Sequence, residues 1–204
     1  MHSTHESKSR AAANVNDSPP LRRCGWAEAN DLMRAYHDTE WGVPCRDDQE
    51  LFERLLLEGF QAGLSWRTIL NKRAHYRVVM EEFDPMVIAR YGATKIEKLL
   101  QDPGIVRNRL KVHGAVRNAQ AWLALEDEVG SVGAWLWEFA PETPVCTPRR
   151  SRLDEIPATT PESDALSRAL KQRGFTFVGS TICYAFMQSV GMVDDHVEGC
   201  FRAE

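Results

Sequence analysis

The stretch Gln101-Asp-Pro-Gly-Ile-Val-Arg-Asn-Arg109 joins two predicted helices and decides the fold class. Its Asp-Pro-Gly segment is typical of a tight turn. Thr94 and Glu97 have the spacing of a capping box, which predicts a helix over residues 95–101 before the turn. The amphipathic pattern after the turn predicts a long helix over residues 105–126. The stretch therefore predicts an αα-hairpin whose second helix begins with free backbone amides, where a phosphate can bind.

The pattern on either side of the hairpin is also helical. Apolar residues at helical spacing predict further helices over residues 47–59, 66–82, 86–90, 131–139, 163–172 and 177–190. Residues 141–160 are rich in proline and predict a loop, and no segment alternates for long enough to predict a strand. The predicted fold class is all-α. Its least regular parts are the segment before Asp47, the proline-rich loop and the C-terminal end.

Length and charge limit the classes of protein that fit. The chain has 204 residues and a net charge of −4, which is enough for one domain with a core. Residues 1–20 have the composition of a disordered tail, and residues 21–204 are expected to form a single helical domain. Residues 175–193 carry no charge but contain too many polar side chains for a membrane span. Because most non-specific DNA-binding proteins are basic, any DNA-binding surface here must be a local patch.

The hairpin supplies such a patch. Arg107, Arg109, Lys111 and Arg117 follow its turn, and residues 149–152 and 168–173 are also basic. The pattern fits a surface that holds a phosphate backbone through Gly104 and its neighbours. It also fits an ordinary αα-hairpin with a solvated charged face, which is the more common case.

A cysteine and a histidine lie near each end of the chain. The five cysteines are an odd number, and residues 1–20 contain no secretory signal, so a reducing cytoplasm is expected. Cys24 and His37 precede most of the fold, whereas His196 and Cys200 form a His-x3-Cys pair after it. Two thiolates and two imidazoles suit one structural Zn²⁺ that joins the N- and C-terminal segments. The alternative is that the two pairs are unrelated.

Two further features point to a ligand site. Helical spacing places Glu58 on the apolar face of the helix over residues 47–59, where a carboxylate needs a partner or a function. Five aromatic residues cluster in the first third of the chain: Trp26, Tyr36, Trp41, Phe60 and Trp66. Such rings stack on bases and attract cations. A carboxylate bonded to backbone and a tryptophan-rich core are the ordinary alternatives.

Several motifs in one order resemble the 3-methyladenine DNA glycosylase I family, over roughly residues 21–200. The matching motifs are Arg23-Cys-Gly-Trp26, Tyr36-His-Asp38, Glu40-Trp-Gly-Val-Pro44, Leu57-Glu-Gly59, Gln61-Ala-Gly-Leu-Ser-Trp66, Phe177-Val-Gly179, Thr181-Ile-Cys-Tyr184 and Asp195-His-Val197. The resemblance implies a helix-hairpin-helix DNA glycosylase fold. It also implies a base-excision repair enzyme that flips 3-methyladenine out of double-stranded alkylated DNA and hydrolyses its glycosidic bond. Such an enzyme is expected to act as a monomer.

The resemblance also implies roles for individual residues. Cys24, His37, His196 and Cys200 match zinc ligands, and Glu58 matches the carboxylate that hydrogen-bonds the methylated base. Tyr36 and Trp66 match the aromatic residues that contact the base, with Trp26 and Trp41 nearby. The hairpin residues Gly104, Ile105, Arg107 and Arg109 match the element that grips DNA.

The sequence departs from the family pattern at two positions. Met33 stands where a pocket tyrosine is common, and Ala185 stands where a serine is frequent, so the range of lesions, such as 3-methylguanine, is open. No lysine matches a nucleophile, so we expect hydrolysis without lyase activity, and no aspartate matches a water-activating group. A nucleic-acid-binding module without catalysis and a zinc hydrolase are the rival interpretations. A four-ligand site leaves no open metal position for the latter.

Overall fold

The structure, a computed structural model, describes residues 21–146 and 148–203. The described part of the chain contains nine α-helices, and no strand beyond one isolated bridge between Val145 and Asp194. The helices are α1 (Asp31–Thr39), α2 (Asp48–Gln61), α3 (Trp66–Val79), α4 (Pro85–Ile88), α5 (Ala93–Gln101), α6 (Arg109–Val129), α7 (Val132–Trp137), α8 (Pro161–Gln172) and α9 (Ser180–Ser189). The all-α prediction is confirmed, and the predicted tail at residues 1–20 lies outside the described residues.

Helix α2 lies at the centre of the fold. Asp47 caps its N-terminus by accepting a hydrogen bond from the Glu50 amide, and every residue from 51 to 60 is buried. The helix packs against α3, α6, α7 and α9. Its buried residues include the charged Glu53, Arg54 and Glu58. Because burying a charge is costly, each of these three side chains needs a partner or a function.

The apolar interior has two parts. The larger core surrounds α2 and includes Phe52, Trp122 and Phe186. A smaller core joins the first described residues to the last ones, and its buried members are Cys24, Met33, Tyr36, Trp41, Leu70, Val197 and Cys200. This second core brings the predicted metal ligands and the predicted base-binding aromatics together. No helix within the described ranges is long and apolar enough to cross a membrane.

The hairpin is present, but its second helix begins later than predicted. Asn108 caps α6 by accepting from the Lys111 amide, so Ile105 lies in the connecting turn and not in the helix. The Gly104 amide donates to the Asp102 carboxylate at 2.7 Å, and the Val106 amide donates to the Tyr76 hydroxyl at 2.9 Å. These turn amides therefore already have partners within the protein.

Other helix boundaries also differ from the prediction. The capping box at Thr94 is wrong, because α5 begins after Gly92 without a side-chain cap and Glu97 instead binds Arg109 at 2.8 Å. Helix α3 ends at Val79 because residues 81–83 have positive φ angles. Helix α9 begins after residue 177 for the same reason, since Phe177 has a φ of 56°.

The segment before Asp47 is more regular than predicted. A 3-10 turn over Gly25–Ala29 leads into α1, where the Asn30 side chain accepts from the Met33 amide. Both elements are short, so their apolar residues repeat too few times to be recognised as a period. The turn and α1 contribute Trp26, Ala29, Met33 and Tyr36 to the lining of the candidate site.

Candidate active site and metal centre

A cavity of about 560 Å³ opens beside the smaller core. Its size falls within the range of pockets that hold small organic ligands. Helices α1, α2, α3 and α9 supply most of its lining, together with two residues from the proline-rich loop. The lining residues are Trp26, Ala29, Met33, Tyr36, Trp41, Glu58, Gln61, Ser65, Trp66, Arg67, Leu153, Ile156, Ala185 and Gln188.

Glu58 is the acidic residue of this lining. Its side chain is 5% exposed and has no hydrogen-bond partner among the described residues, although it faces the cavity. Desolvation raises the pKa of Glu58 to about 8, against a smaller lowering effect of Arg54. A buried carboxylate with free acceptor atoms is suited to a ligand that brings hydrogen-bond donors or positive charge.

The other two charged residues of α2 have structural partners. Glu53 accepts from Arg73 at 2.6 Å and from Arg77 at 3.0 Å. Arg54 donates to the Ser189 carbonyl and pairs with Glu50. Glu58 is therefore the charged group of this buried helix whose acceptor atoms are left for a ligand.

Aromatic rings line the same cavity as the carboxylate. The centroids of Tyr36 and Trp66 are 5.1 Å apart at an angle of 43°. A planar base between two rings needs a centroid separation of about 7 Å, twice the roughly 3.5 Å contact distance of carbon atoms. The two rings are therefore adjoining walls of the cavity, and the space between them is too narrow for a planar ligand to insert. Trp26 packs edge-on against Trp41 at 5.1 Å.

The four predicted metal ligands converge at one buried point. The Cys200 Sγ lies 3.4 Å from His37 Nε2 and 3.7 Å from His196 Nδ1. The Cys24 Sγ lies 3.7 Å from His196 Nδ1, and all four ligand atoms lie within 4.8 Å of one another. Zinc bonds of about 2.3 Å to sulfur and about 2.0 Å to nitrogen place tetrahedral ligand atoms roughly 3.3–3.8 Å apart. The cluster therefore fits a four-coordinate metal.

The groups around the cluster orient the histidines for this role. His37 Nδ1 lies 2.8 Å from Asp38 Oδ1, and Arg23 holds the same carboxylate at 2.7–3.0 Å. This contact directs His37 Nε2 towards the cluster, as expected for a metal ligand; the same nitrogen lies 3.4 Å from the Cys24 amide. Burial lowers the pKa of His196 to about 4, so its ring is neutral at physiological pH, as a ligand must be.

The cluster and the cavity share a wall. The Trp41 ring lies edge-on to His196 at 4.6 Å, and Trp26 lies edge-on to His37 at 5.3 Å. Both tryptophans also line the cavity. Fixing the two histidines therefore fixes the two tryptophans behind the site.

The predicted DNA-binding residues lie apart from the cavity lining. Arg107 and Arg109 are exposed, and Arg109 pairs with Glu97. Ile105 is 3% exposed and belongs to the core, so its side chain is not a surface contact. Within the described part of the chain, the amides of Arg107, Arg109 and Leu110 have no acceptor. These three amides, and not those of Gly104 and Ile105, are the free donors of the hairpin.

Some cavity residues gave no signal in the sequence. Gln61, Arg67 and Gln188 are polar residues of helix ends and surfaces, and their types are common there. Leu153 and Ile156 come from a proline-rich loop that has no periodicity. Only the three-dimensional approach of this loop to α9 and the C-terminal segment brings them into the site.

Comparisons with known proteins identify the family of the chain. The sequence model of the methyladenine glycosylase family matches residues 26–203. The chain is 49% identical over 180 residues to the DNA-3-methyladenine glycosylase 1 of Escherichia coli K12, covering 88% of this chain and 96% of that protein.

Solved structures resemble the fold as well. A crystal structure of a 3-methyladenine DNA glycosylase I has a TM-score of 0.84 and 50% identity, and the match covers 88% of this chain and 98% of the other. A single-residue variant of a 3-methyladenine DNA glycosylase I in complex with 3-methyladenine has a TM-score of 0.83 and 31% identity. That match covers 89% of this chain and 97% of the other.

Proposed function

The chain belongs to the methyladenine glycosylase family, and from this premise we propose that it hydrolyses the N-glycosidic bond of 3-methyladenine in alkylated double-stranded DNA. The observation that carries the proposal is the buried Glu58 carboxylate, which has no partner among the described residues and faces an aromatic cavity. N3-methylation makes adenine cationic in DNA and weakens its glycosidic bond. The cavity offers such a base a carboxylate and π faces, both of which favour a cation.

The reaction requires the damaged nucleotide to leave the base stack, because a base stacked within a duplex cannot reach the buried Glu58 carboxylate. Glu58 accepts hydrogen bonds from the edge of the flipped base, and Tyr36 and Trp66 contact its face. Water then attacks the sugar carbon, the carbon–nitrogen bond breaks, and the cationic base departs as neutral 3-methyladenine. The proton of the water is released to solvent. Much of the catalysis is the selection and positioning of a good leaving group.

The absence of lyase activity also belongs to the proposal. A lyase step needs an amine that attacks the sugar, and the described residues that line the cavity include no lysine. Lys111, the buried lysine nearest in sequence to the hairpin turn, donates to the carbonyls of Phe60 and Ala62 at 2.8 and 2.6 Å. Its ammonium group is therefore occupied in holding the end of α2.

We propose that the hairpin binds the DNA backbone. The unpaired amides of Arg107, Arg109 and Leu110 at the start of α6 suit a phosphate, and the exposed Arg107 adds a positive charge. We further propose that the chain acts on DNA as a monomer. Size-exclusion chromatography with light scattering would test this, and a stable dimer would contradict it.

We propose that Cys24, His37, His196 and Cys200 hold one Zn²⁺. With two sulfur and two nitrogen ligands the site has no open position for water, so the ion supplies structure and no chemistry. Its function is to hold the segment with Tyr36 against the C-terminal segment.

The activity is tested by incubating the metal-loaded protein with duplex DNA that contains 3-methyladenine and measuring the free base. At a pH above about 8, where Glu58 is ionised, we expect release by wild type and at least a tenfold slower release by Glu58→Gln, since a hydrogen bond to a charged group contributes about 1.5–3 kcal/mol. Glu126→Gln, on the exposed face of α6, is the matched control and should retain full activity. No release by folded wild-type protein would refute the activity. Equal rates for Glu58→Gln and wild type would refute the role of Glu58.

A further inference from the structure

One wall of the cavity does not come from the helical framework. Leu153 begins a 3-10 turn over Leu153–Glu155, and Ile156 follows directly after it. Both side chains line the same cavity as Glu58. Leu153 is 38% exposed, whereas Ile156 packs against the larger core. We refer to residues 149–156 as the wall segment.

The wall segment is fastened to the C-terminal residues around His196. Arg149 pairs with Asp194 at 2.8 Å, and Arg150 pairs with Asp195. Ser151 Oγ donates to Glu198 at 2.9 Å.

Further hydrogen bonds set the backbone of the segment. The Glu198 amide donates to the Arg150 carbonyl at 2.9 Å. The Glu155 carboxylate accepts from the Ser151 amide at 2.9 Å and from the Arg152 amide at 3.3 Å. The segment is therefore held in one shape by side-chain contacts, although it lacks regular secondary structure over most of its length.

We infer that Leu153 and Ile156 determine which alkylated purine the cavity accepts, an inference that rests on the proposed function. Glu58 and the aromatic rings favour a ligand with positive charge and hydrogen-bond donors. N3-methylated purines in general have these properties, so these residues alone do not distinguish one such purine from another. Leu153 and Ile156 offer no hydrogen-bond partner. A purine with an additional exocyclic amine or carbonyl group at this wall loses hydration without compensation, or does not fit.

The two arginine pairs give the wall its position. Asp195 also accepts from Tyr184 at 2.6 Å and from Gln188 at 2.8 Å, and Gln188 lines the same cavity. Arg150 is therefore a positioning residue: it connects the wall segment to the carboxylate that holds one side of the cavity. The Arg150 side chain does not line the cavity itself.

The test compares two duplexes that differ only in the lesion, 3-methyladenine or 3-methylguanine. Both bases are cationic and carry the methyl group at N3, but they differ in their exocyclic groups. The measured quantity is the ratio of kcat/KM for the two lesions. We expect wild type to favour 3-methyladenine and Ile156→Ala and Leu153→Ala each to lower the ratio at least about fivefold, because a few carbon atoms of an apolar pocket set discrimination of roughly this size. Leu32→Ala, a leucine of α1 that is 45% exposed and outside the cavity lining, is the matched control and should leave the ratio unchanged.

The positioning role of Arg150 has its own readout. Arg150→Met should lower the ratio in the same direction, and Arg150→Lys, which can still pair with Asp195, should restore most of it. If Arg150→Met only impaired folding, it would reduce both rates equally and leave the ratio unchanged. That result would overturn the positioning role of Arg150.

The outcomes separate the two proposals. Wild-type protein that releases neither base refutes the proposed function. Wild type that releases 3-methyladenine while both alanine variants keep its ratio within about twofold, or wild type that releases both bases equally fast, overturns the inference about the wall and leaves the activity standing.

Discussion

The imidazole of His75 packs directly against the backbone of Gly104, where the Cβ of any other residue would overlap the ring. The same imidazole bonds the Asp102 carboxylate at 2.8 Å, and Lys72 donates to the Pro103 carbonyl at 2.8 Å. Helix α3 thus holds the hairpin turn through side chains of one face, and the same helix begins with Trp66 in the cavity. The turn glycine allows this close contact, and its φ angle is not positive.

Gly104→Ala should therefore displace His75 and shift the hairpin. We expect a loss of about 1–3 kcal/mol in the free energy of unfolding, the usual cost of overpacking, and roughly tenfold weaker binding of duplex DNA because backbone contacts depend on position. Binding of free 3-methyladenine should change little. Isothermal titration with each ligand and chemical denaturation measure the three quantities.

Gly92→Ala is the matched control, since nothing lies within 4 Å of a Cβ there. The double variant His75→Ala/Gly104→Ala should recover part of the lost stability because the clashing ring is removed. Unchanged DNA affinity in a folded Gly104→Ala variant would refute the link between α3, the hairpin and DNA binding.

The raised pKa of Glu58, about 8, predicts a pH dependence of base release. Below this pH the free enzyme carries a neutral carboxyl group, which attracts the cationic base less. The value of kcat/KM should therefore rise up to about tenfold per pH unit between about pH 6 and pH 8 and level off above, since this parameter reports the free enzyme. Glu58→Gln should be slower than wild type above about pH 8 and nearly independent of pH over the same interval. A wild-type profile that is already flat at pH 6 would contradict the protonated state.

Removal of one metal ligand tests the metal centre. Cys200→Ser should lose the bound zinc, measured by elemental analysis, and its Tm should fall by at least about 10 °C, as expected for a loss of a few kcal/mol in a protein of this size. Cys146→Ser, at an exposed cysteine outside the cluster, should retain one zinc per chain and the wild-type Tm. Full zinc content in Cys200→Ser would contradict the assigned ligand set.

Lys111 stabilises the end of the helix that carries Glu58. Burial lowers the pKa of this lysine, yet its ammonium binds two carbonyls at the C-terminus of α2. Lys111→Met should leave those carbonyls unpaired and cost about 1–3 kcal/mol in the free energy of unfolding. Lys98→Met, at an exposed position of α5, should cost less than about 0.5 kcal/mol. Equal stability of the two variants in urea would show that the buried ammonium is dispensable.

The long periodic elements could be predicted from the sequence because their apolar residues repeat often enough to fix a period. Helices α2, α3 and α7 each begin within one residue of the predicted start. The predicted helix boundaries were wrong where tertiary contacts outweigh the local conformational preference of the sequence. The Val106 amide donates to the Tyr76 hydroxyl, which keeps Val106 in the turn and outside α6. The positive φ angle of Phe177 is not helical, so α9 begins later than predicted.

The candidate site was likewise predictable from the sequence only in part. Glu58 was predicted on an apolar helix face, and the structure buries it beside the predicted aromatics. The four Cys and His residues are distant in sequence, so spacing alone left their association open, whereas the family resemblance and the geometry bring them together. Leu153 and Ile156 were missed because a loop held by ion pairs to another segment leaves no local pattern.

A crystal structure with 3-methyladenine bound tests the central claim most directly, because it examines the cavity and its carboxylate together. The account predicts the base within the cavity, its plane against the Tyr36 and Trp66 rings and a nitrogen within about 3.2 Å of a Glu58 carboxylate oxygen. A base bound outside this cavity, or inside it with Glu58 turned away and unbonded, would contradict it.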